Sequence, residues 1–165
     1  MLRILHTADV HLGRKFPGLG DKGGLQREQL RATFKSIIAL AIAEKVDIVL
    51  IAGDLFDSNQ QPQRNIDLIV EQFKLLEQSS IPVCLIPGTH DRFDPLSIYR
   101  KVNFEERCPN LKIFADEGIS YQEYPHLNLT IYGKPSLESE SGVKSQESRG
   151  EGLTTKDSRL RTRVA

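Results

Sequence analysis

An α/β fold, with a mixed and largely parallel sheet flanked by helices, is what the 165-residue sequence predicts. Short apolar runs alternate with longer segments of helical period, and the first three runs each end in a loop carrying Asp and His or Gly and Asp. Strands that alternate with helices form βαβ units and hence a parallel sheet. Two later segments of alternating polarity add a hairpin, which makes the expected sheet mixed.

Leu2 to Thr7 reads as a short buried strand running into Ala8-Asp9-Val10-His11-Leu12-Gly13. Gly18, Gly20, Gly23 and Gly24 mark the next stretch as a loop. A helix follows, with Leu30, Phe34, Ile37, Ile38 and Ala41 on one face at three- and four-residue spacing. Val46 to Ala52 is apolar apart from Asp47, as a strand buried on both sides would be, and it ends at Gly53. Ile66, Ile69, Val70, Phe73 and Leu76 form the apolar stripe of a second helix. Pro82 to Ile86 is the next strand, closed by Pro87-Gly88. Asp94-Pro95 reads as a helix start, Asp as cap and Pro in the first turn, with Leu96, Ile98, Tyr99 and Val102 following. Leu111 to Phe114 is a strand candidate, and Ile119 to Tyr124 and Leu127 to Tyr132 form the hairpin around Pro125-His126.

The chain divides at about residue 136. Residues 137–165 have no aromatic side chain and few aliphatic ones, so they bury too little apolar area to offset their ordering entropy and read as a disordered polar tail. Arg159, Arg161 and Arg163 there are either nucleic-acid contacts or a solvated charge run. The 22 basic and 22 acidic residues balance, which argues against a broadly basic nucleic-acid surface but leaves room for a local patch. Two cysteines, Cys84 and Cys108, make no disulfide framework and fit a reducing cytoplasm. Cys84 reads as a small buried hydrophobe. No apolar stretch is long enough for a membrane span.

The chemistry sits in three loops: Asp9-Val10-His11, Gly53-Asp54-Leu55-Phe56-Asp57 and Gly88-Thr89-His90-Asp91. Ligands of open α/β sheets gather at the carboxyl ends of the strands, so loops that follow three strands converge there. Carboxylates with imidazoles suit divalent Mn, Fe or Zn. Singly, each residue has a structural reading: Asp9, Asp54 and Asp94 as helix caps, Asp57 and Asp91 as turn caps, His11 and His90 as surface histidines. Their ordered recurrence after three strands favours a shared site. Arg14 and Lys15, which follow the first loop, are either phosphate contacts or solvated side chains. His6 reads as structural and His126 as an exposed turn residue.

Asp-x-His, then Gly-Asp-x-x-Asp, then Gly-x-His-Asp resembles the ordered signature of calcineurin-like metallophosphoesterases. The strings His6-Thr7-Ala8-Asp9-Val10-His11-Leu12-Gly13, Ala52-Gly53-Asp54-Leu55-Phe56-Asp57 and Ile131-Tyr132-Gly133-Lys134-Pro135 look most like the SbcD-type DNA repair exonuclease branch. The resemblance covers residues 1–136, as a partial domain, and implies the N-terminal half of a four-layer sandwich. It implies two divalent ions, Mn²⁺ foremost, with Fe²⁺, Zn²⁺ or Mg²⁺ as alternatives. Asp9 and His11 would hold the first ion, Asp54 would bridge both, and Thr89 would face the second. Asp57 would orient the ligands, His90 would act on the phosphate, and Asp91 would hold the His90 ring. Ions about 3.5–4 Å apart clamp a phosphate and lower the pKa of bound water to about 7. DNA, a coiled-coil ATPase subunit of the SbcC type and a second copy of the chain are the partners it implies.

Two departures stand out. Thr89 occupies the position where the family has Asn, a better neutral ligand. No histidine follows His126, where the family closes its site with Gly-His and Gly-His-x-His. The expectation is therefore a truncated, frame-shifted or deliberately cut chain carrying half a site. Alternatives to a DNA nuclease are a small-molecule phosphodiesterase or phosphatase, or an impaired remnant that binds only metal or a partner.

Overall fold

A computed structural model describes residues 1–116 and 118–135, with the backbone of residues 161–164. Its first sheet has four parallel strands in the order β1 (Ile4–Thr7), β2 (Ile48–Ala52), β3 (Val83–Ile86) and β4 (Leu111–Ile113). The long helices α1 (Lys22–Ala43) and α2 (Gln63–Gln78) make the first two crossovers, and the short α3 (Ile98–Val102) and α4 (Phe104–Arg107) lie in the third. Val49, Ile51, Val83 and Leu85 on one face of the sheet pack with Phe34 and Ile38 of α1, Ile69 and Phe73 of α2, and Phe104. Both amphipathic stripes face inward as their spacing predicts, with the Phe34 and Phe73 rings meeting edge to face at 6.5 Å.

The hairpin forms where it is expected, as β5 (Ser120–Tyr124) and β6 (Leu129–Gly133), but it does not extend the parallel sheet. It stacks across the second face, where Leu129 and Ile131 meet Ile48, Leu50, Cys84, Ile86 and Phe114. A third strand, β7 (Arg161–Val164), pairs antiparallel to β6 within the stretch expected to be disordered. Residues 136–160 of that expected tail lie outside the described residues.

Three local expectations are corrected. β1 is an edge strand and not a buried one: Ile4 and His6 lie on the hairpin's side of the sheet but at its edge, where the hairpin leaves them exposed. α1 begins at Lys22 and takes in Gly23 and Gly24; a side chain at Gly23 would press on the Phe16 carbonyl, so glycine there serves close packing. Asp94-Pro95 is a turn, not a helix start. The Asp94 carboxylate accepts the Leu96 amide at 2.7 Å, and Ser97 caps α3 by accepting the Tyr99 amide at 3.3 Å.

Cys84 sits in the second core with its Sγ 3.1 Å from the Tyr124 hydroxyl. Burial pushes its thiol from 9.0 up to about 11, against smaller pulls from the Tyr124 hydrogen bond and Lys112. A folded-state value above the unfolded one means stability that is present below pH 9 and lost as the pH rises through about 11. Urea denaturation across that window is expected to show falling stability, with a flatter profile for Cys84→Ala. An unchanged slope in that variant would contradict the assignment.

Candidate metal centre

The three loops leave β1, β2 and β3 side by side, because parallel neighbours end at the same edge. The first two zip together beyond their strands. The amides of Asp9, His11 and Leu12 donate to the carbonyls of Gly53, Asp54 and Leu55, and the Asp57 amide returns to the Leu12 carbonyl. Aligning them takes unusual backbone. Asp9, His11 and Asp54 have φ of 53°, 51° and 51°, three of the seven non-glycine residues with positive φ among the described residues. Left-handed backbone costs such residues about 1–3 kcal/mol each, and strain of that kind collects at functional sites. Gly53, at φ 93°, makes the turn that precedes Asp54.

Asp54 is almost fully buried. Its Oδ1 accepts the His90 amide at 2.8 Å, and the Thr89 hydroxyl reaches Oδ2 at 3.5 Å. Gly88 allows this approach, since a Cβ there would collide with the Asp54 carboxylate.

His11, Asp54 and His90 each offer a ligand atom, and all three atoms lie within 4.8 Å of one another. Ligands about 2.0–2.2 Å from a common ion stand at most about 4.4 Å apart, so a small side-chain adjustment closes the group on an ion. The two imidazoles meet edge to face with centroids 4.7 Å apart. His11 Nδ1 is buried and, though 3.3 Å from Asp57 Oδ1, lacks the alignment for a hydrogen bond. A buried nitrogen without a hydrogen-bond partner among the described residues, beside a carboxylate and a second imidazole, fits a cation of the Mn, Fe or Zn type.

The other expected site residues are placed as follows. The Asp9 side chain is 75% exposed, its Oδ1 3.9 Å from His11 Nε2, and it stands outside the three-residue group. Arg14 and Lys15 are exposed, with the Arg14 guanidinium 5.9 Å from the Phe16 ring centre. Asp57 reaches both rings: His90 Nδ1 is 3.3 Å from its carbonyl oxygen and 3.9 Å from its carboxylate, and His11 Nδ1 is 3.3 Å from that carboxylate. The expected contact between Asp91 and the His90 ring is not made. Asp91 turns into the core, fully buried, where Oδ1 accepts the Gly88 amide at 2.7 Å and Oδ2 accepts the Phe56 amide at 3.1 Å and the Tyr99 hydroxyl at 2.5 Å. Burial pushes the Asp91 carboxyl up, the Tyr99, Phe56 and Gly88 hydrogen bonds pull it back, and the Asp54 charge adds to the rise.

Tyr99, as a partner of the third loop, escaped sequence reasoning, whereas His90 was expected at the site, acting on the phosphate. One signal for Tyr99 was present: a tyrosine on the apolar face of a helix needs a partner for its hydroxyl.

Comparison with known proteins agrees with this geometry. The family model "Calcineurin-like phosphoesterase" matches residues 2–160. The chain is 38% identical over 91 residues to the DNA double-strand break repair protein Mre11 of Aeropyrum pernix, covering 55% of this chain and 21% of that protein. It is 35% identical over 131 residues to Mre11 of Sulfurisphaera tokodaii, covering 79% and 32%. It is 35% identical over 97 residues to the SbcD subunit of the nuclease SbcCD from Staphylococcus saprophyticus, covering 58% and 24%. The chain thus spans between about a fifth and a third of the length of these relatives. With the match running from the first strand onward and the candidate ligands His11, Asp54 and His90 gathered at its strand ends, the chain belongs to the calcineurin-like phosphoesterase family.

Proposed function

We propose that the chain forms the metal-binding front of a divalent-metal-dependent phosphodiester hydrolase acting on DNA in repair. The observation that supports this most is the mutual approach of His11, Asp54 and His90 at the carboxyl edge of the parallel sheet. Relatives named as a double-strand break repair protein and as part of a nuclease favour DNA over small phosphoesters. In this reading Asp9, His11 and Asp54 would hold the divalent ions, with Thr89 beside Asp54 as a further candidate ligand. Manganese is the proposed metal and the cytoplasm the proposed compartment. The partners proposed are a coiled-coil ATPase subunit of the SbcC type and a second copy of this chain.

Divalent ions bound there neutralise phosphate oxygens and supply a hydroxide nucleophile near neutral pH. The chain's own residues orient and move protons. Asp57 steers both rings, its carboxylate beside His11 and its carbonyl oxygen beside His90 Nδ1. In the imidazolium form of His90, Nδ1–H donates to that carbonyl and the Nε2 proton is the one that would pass to the leaving sugar oxygen. Arg14 and Lys15, exposed next to the first loop, meet the phosphate backbone.

Hydrolysis of linear duplex DNA and of bis(p-nitrophenyl) phosphate, both with Mn²⁺, tests the proposal. The expected result is Mn²⁺-dependent DNA cleavage that exceeds cleavage of the chromogenic ester. His90→Ala is expected to lower turnover by about 10²–10⁴-fold while changing Mn²⁺ affinity less than Asp54→Ala does. Preference for the chromogenic ester would favour a small-molecule phosphodiesterase. Mn²⁺ binding with no turnover of either substrate would contradict the hydrolase reading.

A further inference from the structure

Tyr99 belongs to none of the three loops, yet its hydroxyl ends between two of them. It is the second residue of α3 and is 5% exposed, with its ring 6.1 Å from that of Phe56 and 6.0 Å from that of Phe104. The start of α3 is fixed twice. Ser97 caps the Tyr99 amide, and Asn59 Oδ1 accepts the Ile98 amide at 3.0 Å while Asn59 Nδ2 donates to the Arg92 carbonyl at 3.0 Å. Asn59 therefore joins the chain just after the second loop to the chain just after the third.

From this anchored helix the hydroxyl donates to Asp91 Oδ2, the oxygen that also receives the Phe56 amide. The other oxygen receives the amide of Gly88, the glycine packed directly against Asp54. One buried carboxylate thus ties the loop bearing Asp54 to the loop bearing His90. We infer that Tyr99 is a positioning residue for the metal centre: its hydroxyl fixes the rotation of the Asp91 carboxylate and so sets the spacing between Asp54 and His90. The inference rests on the metal-binding reading of that site. A phenylalanine would fill the same volume. What the hydroxyl adds is the orientation of its acceptor, in the way that partners of metal ligands set ligand geometry.

The experiment compares the unsubstituted chain, Tyr99→Phe and Phe73→Leu. Phe73 is fully buried on α2 against Phe34, so its truncation loosens the core away from the loops. Mn²⁺ affinity by calorimetry, melting temperature, and hydrogen exchange at the Gly88 and Phe56 amides are read for each. Tyr99→Phe is expected to weaken Mn²⁺ binding about tenfold, the scale for losing a ligand's supporting partner. It should also speed exchange at those two amides. Phe73→Leu is expected to melt earlier with unchanged Mn²⁺ affinity. Unchanged affinity in Tyr99→Phe, or an equal loss in Phe73→Leu, would overturn the positioning role and leave the metal site intact. Failure of the unsubstituted chain to bind Mn²⁺ would overturn both.

Discussion

Replacing Asp54 with alanine is expected to weaken Mn²⁺ binding by about two orders of magnitude or more while the chain stays folded. Loss of residues that merely support metal ligands costs about 10–100-fold in affinity, and a bridging carboxylate contributes at least that much. The effect on folding is smaller. Alanine at φ 51° is strained by about 1–2 kcal/mol, and the His90 amide loses its acceptor, worth about 1 kcal/mol. Against a typical total of about 5–15 kcal/mol, the chain remains folded. Asp54→Asn separates the contributions. It tolerates left-handed backbone and keeps an acceptor for the His90 amide, but removes the charge. Calorimetric titration should show that this variant also binds weakly despite a near-normal melting temperature. Undiminished affinity in Asp54→Asn would remove Asp54 from the ligand set.

The largest stability loss is expected from Asp91→Ala, at about 3–5 kcal/mol. Three donors, the Gly88 and Phe56 amides and the Tyr99 hydroxyl, converge on this carboxylate in a fully buried position. Each buried donor left without an acceptor costs about 1–3 kcal/mol, and the contributions overlap. Burial opposes the ionised carboxyl more than the three donors favour it, which is why its pKa is raised, yet removing the group strands all three donors in the core. Urea denaturation of Asp91→Ala measures the loss directly. A value below about 1 kcal/mol would mean that water replaces the carboxylate and that the loops do not depend on it.

The parallel order of strands and the two long helices were legible because local pattern and tertiary role agree in them. Phe34 and Ile38, or Ile69 and Phe73, lie on one helical face, and that face is the buried one. The three site loops were legible for a related reason: each motif abuts an apolar strand, and parallel strands bring their ends together. What covers a face was not legible. β1 follows the same apolar lead as β2 at Ile4 and Leu5, yet the hairpin shields Ile48 and Leu50 and leaves Ile4 and His6 exposed. Partner choice was illegible as well. Asp91 follows His90 in the chain and so invites pairing with its ring, but adjacent residues point apart. Its partners come from β3's exit, the second loop and α3. Asp94 was misread because its carboxylate is taken up by the Leu96 amide, while Ser97 caps the helix.

The central claim is that His11 and Asp54 hold divalent cations, with His90 beside them, at the carboxyl edge of the sheet. Anomalous diffraction at the manganese edge, from crystals of the chain grown with Mn²⁺, tests it most directly. The expected map has its strongest peak within coordination distance of the Asp54 carboxylate and the His11 imidazole. A strongest peak elsewhere on the molecule, with those side chains holding only water, would contradict it.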